Sequence, residues 1–273
     1  MERTRNLVVG NTSQLSQYFP NDYIKISSRD IDNDIFEQEW DSVYLTFAKQ
    51  NVFDSEDSDF FSVNTYYTLD IIERLLLVSN RIVVYTTCEI YQNHYGPISI
   101  STEPSFQIDS SNYSNYIQSK YLLNQMITIN RVKDMSWNKV VIIHPFNFES
   151  VHKNKYFLFG KIVDSIVNET VIDIGDIDFY KDILHTSRMV EQSIKSDGDC
   201  VIGSGRLINV RDTVISIYKH FDMDYNIFVN ETPREGNRLK FYYTKNKLNH
   251  NFIDDMVTDI KKIKYEKNIN NRY

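Results

Sequence analysis

The chain has 273 residues, of which 41% are hydrophobic, 14% aromatic and 25% charged, enough for one large domain or two joined ones with a sizeable core. A net charge of -7 argues against a nucleic-acid surface as the main partner. No long uncharged apolar stretch suggests a membrane span or a signal peptide, and two cysteines, Cys88 and Cys200, exclude a disulfide framework and a cysteine zinc site, so a cytoplasmic location is expected.

Apolar, β-branched runs recur at 6–10 ("NLVVG"), 22–27 ("DYIKIS"), 41–47 ("DSVYLTF"), 81–87 ("RIVVYTT") and 139–146 ("KVVIIHPF"). Short and nearly continuous in hydrophobicity, they predict strands covered on both faces, as in a parallel sheet. Between them, 63–80 and 115–132 carry apolar residues at helical intervals. Alternation of this kind predicts an α/β, Rossmann-type doubly wound sheet over residues 1–146. From 147 to 273 the elements become shorter and more irregular. A hairpin or strand pair is expected at 169–180, helices at 186–196 and 209–221, a strand and turn at 200–205, and a closing amphipathic helix with a polar tail. The expected second domain is a smaller, discontinuous α+β substrate lobe, with parts of 181–205 returning to the Rossmann sheet.

The first run ends in "VVGNTSQLS", where Gly10, Ser13 and Ser16 keep the spacing of a dinucleotide-binding turn but put serine at two of its three glycine positions. Glycine there permits a tight turn and close approach of backbone to a pyrophosphate; an ordinary capped helix after a strand would read the same. The next strand ends in Ser27, Ser28 and Arg29 without an acid. Those side chains suit a 2′-phosphate, which favours NADP over NAD, although a solvated loop cation is the equal alternative for Arg29. Few residues separate Gly10 from Ser27, so the first helix must be short.

Tyr116 and Lys120 are four residues apart on the second predicted helix and so share a face. A nearby ammonium lowers a phenol's pKa and makes it a usable acid or base. Upstream, "TTCEIY" places Glu89 two residues after Thr87. The six histidines show no paired ligand spacing, and no metal is expected.

In this order the motifs resemble the extended short-chain dehydrogenase/reductase family, especially its nucleotide-sugar epimerases, dehydratases and 4-reductases. The likeness runs through "VVGNTSQLS", "SSRDID", "VYLTFA", "VNTYYTLDIIE", "YTTCEIY", "YIQSK", "HPFNF", "FYKDILHTSRMVEQSI", "IGSGRLINVRDTV" and "PREGNRLKFYYTKNKL". It implies that Gly10, Thr12, Ser13, Gln14, Leu15, Ser28, Arg29, Ala48 and Lys120 bind NADP, or alternatively NAD. It makes Tyr116 the proton donor or acceptor at a sugar oxygen, Lys120 the ligand of the nicotinamide ribose, and Thr87 the replacement for the family's serine. Asn147, Lys181, Arg211 and Arg234 fall where the family meets the diphosphate of a nucleotide-diphosphate sugar, and Asn64 matches a structurally important asparagine. The chain departs from the family at Ser13 and Ser16, at His144 where arginine is usual, at Thr87, and in "HTSR" where an acidic pair is common. The implied activity is hydride transfer at a sugar carbon, C4 keto-reduction or epimerisation ahead of 4,6-dehydration with Glu89 as base. A non-catalytic dinucleotide-binding or regulatory protein is the alternative that the serine replacements allow. Kinship also implies a homodimer through a four-helix bundle, with Tyr121, Leu122 and Met126 of the 115–132 helix facing the partner.

Overall fold

Strands Asn6–Val9, Ile24–Ile26, Ser42–Leu45, Ile82–Tyr85, Val140–Pro145 and Cys200–Ile202 form one sheet in this computed structural model, which describes residues 5–50, 57–233 and 241–270. Across the sheet they lie in the order 200–202, 140–145, 82–85, 42–45, 6–9, 24–26, and every pairing is parallel. Leu7, Val9, Val43, Ile82, Val83 and Ile143 are fully buried, which explains why these runs lack polar alternation. From 6–9 the chain steps to one side, to 24–26, and then to the other, to 42–45. That reversal opens a crevice at the carboxyl ends of 6–9 and 42–45, the place where open α/β sheets bind ligands.

Helices Thr68–Leu75 and Asn112–Lys133 cover the sheet. Ile72, Leu75, Leu123 and Ile127 pack with Leu7, Val9, Val43, Ile82 and Ile142 in one core cluster, each buried aliphatic side chain contributing about 1.5–3 kcal/mol. Two predicted helices differ from expectation. The short first helix is a single 3₁₀ turn, Ser16–Tyr18; Phe19 anchors it instead, its ring 4.6 Å from that of Tyr44. The 63–80 helix begins as a π-turn, Ser62–Tyr67, and is α-helical only over Thr68–Leu75, because Asn64 and Thr65 turn their polar groups inward (below).

The sheet and helices described so far belong to a compact unit drawn from 1–94, 99–145 and 190–202. Its last strand is fastened by charge. Arg131 Nη1 and Nη2 donate to the Asp199 carboxylate at 2.6 and 2.8 Å, and Asp199 Oδ1 also accepts from Ile142 N at 2.8 Å. Arg81 Nη2 donates to the carbonyls of Ser193 and Ser196 at 2.8 and 2.6 Å, a cation on the orphan carbonyls of a helix end.

A second unit comprises 95–98, 146–189 and 203–273. Its three-stranded sheet runs 207–209, 180–185, 147–149, and two parallel pairs join 229–232 to 172–175 and 242–244 to 96–98. Of the hairpin or strand pair expected at 169–180, the segment holds strand Ile172–Gly175 and the start of strand Tyr180–His185, but the two do not pair with each other: the first pairs with 229–232 and the second with 207–209 and 147–149. Ile174 and Ile177 are buried in this unit's core, so the intervening segment runs through packing contacts and not through a surface turn. Helices Leu158–Asn168, Val210–Lys219 and Phe252–Asn270 enclose that core. Buried Asp182 ties the sheet to its neighbours, accepting from Ser204 N, Gly205 N and Thr244 N at 2.6, 3.0 and 2.9 Å. Among the described residues no helix is long and apolar enough to cross a membrane.

Asp199→Ala removes three hydrogen bonds at a partly exposed site and is expected to lower stability by about 2 kcal/mol, read as a lower urea midpoint at unchanged slope.

Candidate functional site

Gly10 lies at the carboxyl end of the first strand with φ 112°. A Cβ there would come within 2.8 Å of both Thr46 Oγ1 and Phe47 N, so the residue is glycine for conformation and for space. Gly10 N and Asn11 N both donate to Ile26 O, at 2.9 and 3.0 Å. The serines beyond it are knitted into the loop. Ser13 Oγ donates to Thr46 Oγ1 at 2.9 Å and accepts from Ser16 N at 3.1 Å, while buried Ser16 Oγ lies 2.7 Å from both Asn11 O and Ser13 O. Gln14 is half-buried beside them. Neither the Thr12 nor the Leu15 amide has an acceptor among the described residues, and Leu15 is buried. Unpaired amides beside a glycine turn offer an anion ready-made donors.

Beyond the second strand, Ser27 Oγ accepts from Arg29 N at 3.1 Å and Ser28 O accepts from the Tyr67 hydroxyl at 2.6 Å; Arg29 itself is exposed. Half-buried Ala48 follows the third strand. The next residue, Lys49, is gripped through its backbone by Asn64, which accepts from Lys49 N at 2.8 Å and donates to Lys49 O at 3.0 Å. Asn64 Nδ2 also reaches Ser119 Oγ at 3.1 Å, Ser119 Oγ donates to Tyr116 O at 2.7 Å, and Thr65 Oγ1 donates to Ser119 O at 2.8 Å. The π-turn thereby holds the 112–133 helix at the turn that carries Tyr116 and Lys120. π-turns recur at such sites because the extra residue re-aims side chains.

Thr87 caps the 3₁₀ turn Cys88–Tyr91 through Glu89 N at 3.2 Å. The Thr87 side chain beside the Tyr116 phenol pulls the phenol's pKa down; burial outweighs this and, with Cys88 and Glu89 nearby, holds it above the usual tyrosine value. The Phe60 ring stands edge-on, 6.3 Å from that of Tyr116. Lys120 is buried, donates Nζ to Tyr85 O at 2.9 Å, and is lowered by that burial to about 8. The lowering of Tyr116 expected from the Lys120 ammonium is therefore corrected: the ammonium is engaged by a carbonyl, and the group that favours phenolate is Thr87. Glu89 Oε2 accepts from the Tyr113 hydroxyl at 2.5 Å. Sequence reading missed Tyr113, although its spacing of three and seven from Tyr116 and Lys120 was visible.

His144 is buried with Nδ1 2.7 Å from Thr86 Oγ1. Burial lowers it to about 4 against the opposing pull of Asp199, so it is a neutral core residue at pH 7.

In the second unit, the pairing of 147–149 with 180–185 brings two expected residues together: Lys181 Nζ donates to Asn147 Oδ1 at 3.1 Å, and Asn147 Nδ2 to Asp182 O at 3.4 Å. Half-buried Glu149 lies near them, raised by desolvation and pulled back by Lys153 and Lys181. Arg211 is not with them. It pairs with Glu231 at 2.5 Å, Asp178 at 3.1 Å and Asp176 at 3.4 Å, a clasp of the protein's own carboxylates. Arg234 lies outside the described residues. Among the described residues no group of three His, Cys, Asp or Glu is placed to hold a metal ion.

No protein-family model and no curated protein matches the sequence. Solved structures share its fold. A UDP-N-acetylglucosamine 4-epimerase from Methanobrevibacter ruminantium M1, in complex with UDP-N-acetylmuramic acid, aligns with TM-score 0.78 at 13% identity over 97% of this chain and 100% of its own. RMD from Pseudomonas aeruginosa, complexed with NADPH, gives 0.76 at 13% over 96% and 100%. A dTDP-glucose 4,6-dehydratase from Streptomyces venezuelae, with NAD bound, gives 0.73 at 15% over 97% and 98%.

His144 yields a linkage prediction. Its folded pKa of about 4 lies below the unfolded value of about 6.5, so its neutral form stabilises the fold above pH 6.5 and that stability is lost as pH falls toward 4, by about 3 kcal/mol. Urea midpoints between pH 4 and 7 should show this slope, and His144→Gln should flatten it.

Proposed function

We propose that the chain is an NAD(P)-dependent enzyme that transfers hydride at a carbon of a nucleotide-diphosphate sugar, by C4 keto-reduction or epimerisation. The observation that carries the reading is the Tyr116–Lys120 pair on the helix that Asn64 anchors, with Lys120 buried on the carbonyl of Tyr85 and the Thr87 side chain beside the phenol. Neighbours solved with NADPH, NAD or a UDP-sugar support it.

The loop fits a dinucleotide: Gly10 leaves space beside Thr46 and Phe47 that a Cβ would fill, and the Thr12 and Leu15 amides are unspent. Gly10, Thr12, Ser13, Gln14 and Leu15 would hold the diphosphate, Ser28 and Arg29 the 2′-phosphate of NADP, Ala48 the adjoining ribose, and Lys120 the nicotinamide ribose. A bound nicotinamide supplies or takes the hydride. Tyr116 gives its phenolic proton to the sugar oxygen in reduction, and its raised pKa keeps the proton in place until that oxygen becomes basic; in the reverse step, oxidation, it is the phenolate that takes the hydroxyl proton. Thr87 fixes the direction of the phenol. Asn147 and Lys181 are the residues for the substrate's diphosphate, where Lys181 supplies charge.

Glu89, two residues from Thr87, favours a second reading, 4,6-dehydration, in which its carboxylate takes the proton α to the keto carbon. We also infer a homodimer through the 112–133 helix, whose Ile129 and Val132 are exposed. Of the residues expected to face the partner, Met126 packs against the chain's own core and Tyr121 stands edge-on to Phe106.

Calorimetric titration with NADPH and NADH tests the cofactor reading: NADPH should bind more tightly, and Arg29→Ala should remove that preference. Tyr116→Phe should leave NADPH affinity within about twofold while cutting turnover of a nucleotide 4-keto-sugar by roughly 10²–10⁴. Failure to bind either dinucleotide would replace the enzyme reading with the non-catalytic one.

A further inference from the structure

Tyr113, Tyr116 and Lys120 lie on one face of the 112–133 helix at intervals of three and four. Opposite them runs the segment Thr87–Cys88–Glu89, fixed by the Thr87 cap on Glu89 N. The two stretches meet in two rungs: the Thr87 side chain lies beside the Tyr116 phenol, and Glu89 bonds Tyr113. The second rung is the shorter kind of contact, 2.5 Å between phenol and carboxylate oxygens, the range of charge-assisted O–H···O⁻ bonds. Its donor is unambiguous. Burial raises Tyr113 first, and the charge of Glu89, its hydrogen bond, Cys88 and Tyr116 raise it further, so the phenol stays protonated and the carboxylate accepts.

We propose that Tyr113 is a positioning residue for Glu89: its hydroxyl holds the carboxylate ionised and directed beside the Thr87–Tyr116 pair, giving the site a second acid–base rung for a carbon-bound proton. The inference rests on the sugar-modifying reading for what Glu89 acts upon, but not for the hold itself. In the step this rung serves, the bond from an α-carbon to hydrogen breaks, its proton moves to a Glu89 oxygen, and its electron pair enters the enolate of the adjacent keto group. That group is polarised by the Tyr116 hydroxyl. The reverse step returns the proton to the same carbon, so no oxidant or reductant is consumed. A carboxylate without the phenol's hydrogen bond would be more basic, since that bond favours the charged form.

The partial exposure of Tyr113, 38%, makes Tyr113→Phe a mild change for the fold. Two measurements on the full chain test the proposal. First, carbon-13 NMR of protein labelled at glutamate Cδ, with Glu89→Gln to assign the resonance, follows the titration of Glu89 itself. Tyr113→Phe should raise its midpoint by about one pH unit; an unchanged midpoint overturns the proposal. Second, deuterium uptake from heavy water into dTDP-4-keto-6-deoxyglucose reports proton transfer at carbon without net hydride transfer. With Tyr113→Phe the acid limb of its pH profile should move to higher pH, in step with the NMR midpoint, whereas Glu89→Gln should abolish uptake. A limb that stays in place while the midpoint moves overturns the positioning role. If the wild-type protein exchanges nothing and oxidises no NADPH with keto-sugars, the sugar reading fails, and the NMR midpoint still decides whether Tyr113 holds Glu89.

Discussion

One buried carboxamide links the cofactor side of the candidate site to its catalytic side. Asn64 spends its oxygen and nitrogen on Lys49, just past the third strand, and its nitrogen again on Ser119, whose own hydroxyl binds the carbonyl of Tyr116. Because Asn64 is 1% exposed, its own carboxamide would be an unpaired buried dipole without these partners. The helix that carries Tyr116 and Lys120 is thus registered to the sheet by polar bonds as well as by the aliphatic packing of Leu123 and Ile127. Packing alone tolerates sliding by fractions of an ångström; a three-way hydrogen-bond node does not.

The serine replacements in the first loop are explained by the same economy of polar groups. A side chain at either position must find room and a hydrogen-bond partner. Ser13 uses the hydroxyl of Thr46 and the amide of Ser16, and Ser16 turns back on the carbonyls of Asn11 and Ser13. The chain keeps glycine only where no side chain fits, at Gly10. With a single 3₁₀ turn after it, the loop relies on individual amides, since so short an element carries little helix dipole.

The strands were legible because burial on both faces leaves an unbroken apolar run, as in 140–145. The 112–133 helix and its Tyr116–Lys120 pair were legible from spacing. What escaped the sequence depends on partners far away in the chain. The break at 62–67 arises from Asn64 reaching Lys49 and Ser119. The misread hairpin at 169–180 has strands whose partners are at 147–149, 207–209 and 229–232. Arg211 read as a free cation because Asp176, Asp178 and Glu231 converge on it only in the fold. Tyr113 was one of 19 tyrosines, and only the turn of Glu89 toward it distinguishes it.

The edge of the large sheet also bears on how the chain reaches this structure. Strand 140–145 gains its outer neighbour, 200–202, and Arg81 and Arg131 gain the Ser193, Ser196 and Asp199 groups that they bind, only after residues 146–189 have been made. During synthesis, therefore, the first unit must wait as an open-edged sheet whose Arg81 and Arg131 have only Tyr44 and Val140 to bind while much of the second unit's chain emerges. An open parallel edge of buried-type residues is a template for wrong pairing. The two cations keep that waiting edge soluble, and their capture makes closure of the sheet a late, long-range event with the slow kinetics of high contact order.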